Sequence, residues 1–142
     1  MKRFRFCLLW FAVFVLGSCS FAMEPVPYSV KGEMLLDSED YPDTPSFNYE
    51  FRNRSDKEIK AFTLVFYLFD EEGNPPDGGR SNVIVTVEAD IQPAERKSGS
   101  FDLEKVFPVI PEETYSVDFL YVSKIAYADG TEWTDPFGLK VF

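Results

Sequence analysis

Histidine is missing from all 142 residues. Its absence excludes Ser-His-Asp and Cys-His catalysis, together with every zinc or iron site built on imidazole. Cysteine is nearly missing: Cys7 and Cys19 both precede Met23. A domain that starts at Met23 has no thiol, so neither a disulfide scaffold nor thiol catalysis is available to it. Basic residues are few, 14 against 24 acidic ones, for a formal charge of −10. That balance argues against binding nucleic-acid phosphates or clinging to anionic lipid headgroups. It favours solubility and points, if anywhere, to cationic partners. Heptads, internal repeats and low-complexity tracts are absent, and no helical period is found beyond the first 22 residues. Long apolar runs are also lacking. Phe6 to Leu16 is unbroken but only 11 residues long, too short for an ordinary membrane span.

That run sits in a recognisable layout. Lys2, Arg3 and Arg5 precede it, and the mostly small segment Gly17 to Ala22 follows, as in a secretory signal peptide. Two exits are written into it. Leu16-Gly17-Ser18-Cys19 resembles a bacterial lipobox, with residues 1–18 removed and Cys19 diacylated. Ser20-Phe21-Ala22 fits ordinary cleavage, with residues 1–22 removed. Either way the expectation is an extracytoplasmic protein: periplasmic or envelope-bound, lipid-anchored through Cys19 or else soluble. Losing the three leader cations leaves 11 basic residues against 24 acidic, near −13.

Residues 23–27 form a short tether, and 28–142 are of a length for one domain. Its most telling stretch is Ile59 to Asp70, IKAFTLVFYLFD. Phe62, Leu64, Phe66 and Leu68 point one way, and Ala61, Thr63, Val65, Tyr67 and Phe69 the other. A strand apolar on both faces belongs mid-sheet. Around it the same alternation predicts strands at Tyr28–Leu36, Phe47–Arg52, Ser81–Ala89, Ser98–Leu103 and Thr114–Tyr127. In the last of these, Tyr115, Val117, Phe119 and Tyr121 are expected on one face, and the phase change near Leu120 to Ser123 marks either a bulge or a strand crossing from edge to interior. Asp129-Gly130 predicts a tight hairpin returning Thr131–Thr134, with Trp133 beside Ala126. Leu139–Phe142 is expected as a short closing strand. Pro108 and Pro111 make Glu104–Glu113 a loop over one end of the core, with a short helical turn. The fold class is an all-β, immunoglobulin-like antiparallel sandwich of about seven strands.

Asn53-Arg54-Ser55, followed at a distance by Phe66-Tyr67-Leu68-Phe69-Asp70 and Gly73, resembles the bacterial extracytoplasmic module named for its F-x-L-Y-D motif. Phe69 replaces the motif's Tyr. Ile91-Gln92-Pro93 followed by Ser100-Phe101 is similar to that family's later element, with Ala94 where Gly is usual. The resemblance spans Tyr28 to Trp133. It implies an immunoglobulin-like or fibronectin-III-like sandwich, often borne by lipoproteins, and it implies no enzymatic activity and no catalytic residues.

Candidate sites are few. Asp37, Glu39, Asp40 and Asp43 lack the spacing and turn glycine of a calcium loop, so a solvated acidic loop is expected. Asp70, Glu71, Glu72 and Asp77 offer carboxylates to Asp129 or Glu132, yet all lie at turns where acids serve solubility and local hydrogen bonds. Arg52, Arg54, Lys57 and Lys60 suit a solvated turn. Trp133, Tyr127 and Phe137 are the candidate binding surface, with closure of the core as the competing role. The expected function is a binding or scaffold module for a protein partner at the envelope, with no cofactor or metal. The alternative is a small carboxylate-dependent hydrolase such as a glycosidase.

Overall fold

The computed structural model describes residues 25–76, 82–107 and 109–141. The N-terminal stretch expected as a leader, with Cys7 and Cys19, lies outside them, as do Asp77 and Gly78-Gly79. Seven strands follow one another: β1 (Tyr28–Leu35), β2 (Ser46–Asn53), β3 (Ile59–Phe69), β4 (Asn82–Ile91), β5 (Arg96–Asp102), β6 (Ser116–Tyr127) and β7 (Glu132–Thr134). Two antiparallel sheets form, ordered β1-β2-β5 and β4-β3-β6-β7. The result is an immunoglobulin-like β-sandwich. Its fourth strand lies beside β3 rather than beside β5, unlike constant-type immunoglobulin domains.

The alternation in β2 and β3 supplies the core. Phe47 stacks on Phe66 at 4.0 Å and Phe51 on Phe62 at 4.2 Å, joining the two sheets. All four rings are buried, and burying each stabilises the fold by about 2–3 kcal/mol. Gly32 on β1 is needed here, because a Cβ at that position would overlap the Phe47 ring. Ile59, Leu64, Leu68, Val122 and Ile125 complete the centre.

Several local expectations are corrected. Of the three register breaks where β6 meets β3, two lie near the expected phase change, one skipping Ser123 and one between Tyr121 and Asp118. The second holds Phe119 at φ 49°, a left-handed conformation costly for a bulky residue. Val117 therefore faces the core while Phe119 and Tyr121 turn outward, instead of sharing its face. In the β6–β7 turn only Gly130 has positive φ, at 81°, while Asp129 does not. Gly130 N–H donates to the Tyr127 carbonyl, and Tyr127 N–H to the Thr131 carbonyl. This is a three-residue loop with glycine in the left-handed position, not a two-residue one. The extra residue shifts the register by one, so Trp133 pairs with Ile125 rather than Ala126. Residues 139–141 form a turn instead of a strand. The buried Asp135 carboxylate accepts the N–H groups of Leu139 and Lys140 at 3.0 and 2.9 Å, which draws the chain out of extended geometry. In the loop after β5, Val106 and Phe107 donate to the Leu103 carbonyl as one helical turn. Phe107 is buried there, but Val109 and Ile110 stay exposed.

Candidate functional site

The outer face of the four-stranded sheet carries an unexpected amount of apolar surface. Register places Ile84, Val65 and Tyr121 in one row across β4, β3 and β6. Asp135 holds the following turn so that Pro136 and Phe137 flank the row, and the Tyr121 hydroxyl donates to the Pro136 carbonyl at 3.2 Å. The outcome is a trough of about 560 Å³. Val65 and Tyr121 form its buried floor, with Ile84 on one wall and Pro136-Phe137 on the other. Burial pushes the Tyr121 phenol pKa up, so it stays a neutral donor. Both walls stand in water: Ile84 is 62% exposed and Phe137 77%. Lys124, ion-paired with Glu132, borders one end. Tyr67 borders the other, with the Phe119 ring edge-on to it at 5.8 Å.

The three aromatic residues singled out in the sequence are not brought together. Trp133 meets Tyr28 edge-on at 5.6 Å and carries Lys140 over its ring, so it closes the core. Tyr127 also packs against the core, with Lys57 over it. Phe137 alone lies at the outward trough. Ile84, Phe119 and Tyr121 were not singled out as binding residues. Alternation with Val83 and Val85 already turns Ile84 to the outward side of β4, and the bulge that turns the other two outward leaves only a phase change in the pattern.

The three-stranded sheet bears a different depression, about 620 Å³, lined by Lys31, Glu33, Asp40, Asn48, Glu50 and Ser100 among others. Some of its groups are engaged, although Asn48 Oδ1 is buried without a hydrogen-bond partner. Arg96 pairs with Glu50 at 2.9 Å, and Ser100 donates to Asp40 at 2.7 Å. Such a polar surface is well hydrated, whereas the larger-walled apolar trough gains from being covered.

The carboxylates at turns do not converge. Asp70 follows the last residue of β3, whereas Asp129 lies in the loop beyond Tyr127, which pairs with Ile59 at the strand's start. The 11-residue strand separates those ends by roughly 33 Å. Asp70 accepts from the Glu72 and Asn74 N–H groups, mainly the latter, which holds its pKa below the usual value. Asp129 is engaged with Lys57 at 2.8 Å and with Thr131. Asn53 is fully buried. Its Nδ2 donates to the carbonyls of Lys57, Ile91 and Gln92, while its Oδ1 accepts from Ser55. The basic cluster is only partly free, since Lys57 and Lys60 are ion-paired. Among the described residues, no group of three or more acids, histidines or cysteines is placed to hold a metal.

No protein-family profile and no curated protein matches the chain. Among solved structures, it is similar to a hypothetical protein of Peptoclostridium difficile 630, with a TM-score of 0.61 and 12% identity. The match covers 79% of this chain and 88% of the other, and at that identity what the two share is the fold.

Proposed function

We propose that the chain is a non-enzymatic binding module of the FxLYD type, exported to a bacterial cell envelope. It is held there by lipid on Cys19 or released in soluble form by cleavage after Ala22. Its partner is a protein, and the outer face of the four-stranded sheet is where that partner binds. One observation carries this reading: Ile84 and Phe137 stand exposed as the two walls of a contiguous apolar trough. Scattered exposed apolar residues are ordinary on a domain surface, but a walled apolar patch marks a surface that is covered in use. The phenylalanine strained into a left-handed conformation beside it supports the same reading, since such strain gathers where side chains are aimed for binding. The hydrolase alternative needs Asp70, Glu71 or Glu72 beside Asp129 or Glu132, and these two groups lie at opposite ends of β3.

Crosslinking and pull-down from intact envelopes, using the native full-length protein, tests the reading. Ile84→Ser combined with Phe137→Ser is expected to abolish capture of the partner while leaving the melting temperature unchanged. Undiminished capture would move the binding surface elsewhere. The anchor is tested separately by radiolabelled fatty acid, which is expected on the wild-type protein and lost on Cys19→Ala. No incorporation at all would remove the lipoprotein form.

A further inference from the structure

The strands of an antiparallel sandwich deliver successive loops to opposite ends, and here the two ends differ sharply in charge. The β1–β2 loop brings Asp37, Glu39, Asp40 and Asp43 to one end. The β3–β4 loop adds Asp70, Glu71 and Glu72 there. The β5–β6 loop adds Glu104, Glu112 and Glu113, with Lys105 as the single cation among the described residues of these loops. At the opposite end, Arg54 and Lys57 balance Asp56 and Glu58, and the other two loops contribute only Glu95 and Asp129. Ion pairing follows the same division. Among the described residues, Lys57, Lys60, Arg96 and Lys124 supply every ion pair, and none reaches an acid of the three acidic loops.

The apolar trough points toward the acidic end. Its open border is Tyr67, which pairs with the exposed Asp118. From Tyr67 the strand continues through Phe69 to Asp70, Glu71 and Glu72, about 10 Å farther on. A groove formed by Asp70, Glu71, Glu72, Glu112 and Glu113 occupies that place. Apolar contact and a negative potential that no ion pair among the described residues offsets thus adjoin along one path on the surface.

We infer that the trough receives a segment of a partner protein that is both apolar and basic. An apolar side chain seats between Ile84 and Phe137, and lysine or arginine residues a few positions away lie against Asp118, Glu71 and Glu72. This inference rests on the outer face being the binding surface. Uncompensated carboxylates speed the encounter with a cationic segment and repel an acidic one, while the trough supplies the contact that holds it. A second copy of this chain is disfavoured as occupant, because it would bring a second acidic end to the same surface.

The test places the photo-crosslinking residue p-benzoylphenylalanine at position 137 of the full chain, in cells that make the protein natively. The same residue at Ser98, on the other sheet, serves as control. The crosslinked segment is then sequenced by mass spectrometry. The expected adduct from position 137 carries lysine or arginine within several residues of the crosslinked apolar residue, and net positive charge. Glu71→Lys with Glu72→Lys lowers its yield about tenfold, and raising salt lowers it as well. A neutral or acidic segment would overturn the inference while leaving the binding-module reading intact. An adduct with a second copy of the chain would likewise overturn it. Adducts from Ser98 alone would overturn both the inference and the assigned face, and none from either position would overturn the binding-module reading too.

Discussion

The hydroxyl of Tyr28, on the first strand of one sheet, accepts a hydrogen bond from the backbone N–H of Val122, on the other sheet, at 2.9 Å. Both residues are buried, and β7 is too short to reach this stretch of β6. A phenol from β1 therefore satisfies a donor that sheet pairing leaves open. Tyr28→Phe keeps the ring and orphans that N–H. The expected cost is about 2 kcal/mol. Chemical denaturation checks it, and an unchanged midpoint would show that the bond contributes nothing.

Burial is the main cause that raises the pKa of Tyr28, of Tyr49 and of Tyr127 above 10.0. A raised value means the neutral phenol is favoured in the fold. Its contribution is complete below about pH 10 and is lost as pH rises through the higher folded values. Denaturation midpoints measured between pH 8 and 12, roughly spanning the phenol range, should hold steady and then fall. The fall should be shallower in Tyr28→Phe.

Ala94 adopts φ 65° in the turn where Glu95 N–H donates to the Gln92 carbonyl. With Pro93 before it, the turn takes the form that wants glycine at this position. Ala94→Gly is expected to stabilise the protein by about 1 kcal/mol, raising the melting temperature by about 4 °C. Calorimetry decides it, and a lower melting temperature would contradict the strain assigned here.

Asn53 ties the end of β2 to the start of β3 and the β4–β5 turn through three donated and two accepted bonds. Asn53→Ala should cost about 3 kcal/mol by stranding buried partners. Asn53→Asp should be worse at neutral pH, since it turns an oxygen toward the carbonyls of Ile91 and Gln92. Equal stability of wild type and Asn53→Ala would refute the clamp.

Asp70→Asn should lower the melting temperature at pH 7, because the carboxylate organises the turn to Asn74. Its pKa is depressed, so its contribution exists above about 3.8 and disappears as pH falls through the lower folded value. The difference between wild type and variant should therefore close in acid. A gap that persists at pH 2, about two units below the free value, would assign the effect to something other than ionisation.

How much was legible beforehand depends on the distance over which each property is decided. The inward sides of Phe47–Phe51 and of Phe62–Leu68 could be read directly, because alternation is a property of a single strand. The helical turn near Val106 followed from two prolines, and the bulge in β6 from its phase change. The side to which that bulge turned Phe119 and Tyr121 could not be read. It depends on which residue takes the left-handed conformation, and the pairing with β3 settles that. The register of Trp133 failed for a similar reason: Asp-Gly permits both a two-residue and a three-residue loop. The clamp that Asn53 makes could not be read, because its three carbonyl partners come from residues 57, 91 and 92, which only folding gathers.

The sequence alone determined the sandwich, its seven strands and its oily interior, since these follow from side-chain period and turn chemistry between near neighbours. Tertiary structure decided what the exterior presents. It sent Trp133 and Tyr127 inward, raised Ile84 and Phe137 as walls, and collected acids from three separated loops at one end. Those outcomes depend on register and on strand direction, which relate residues far apart in the chain.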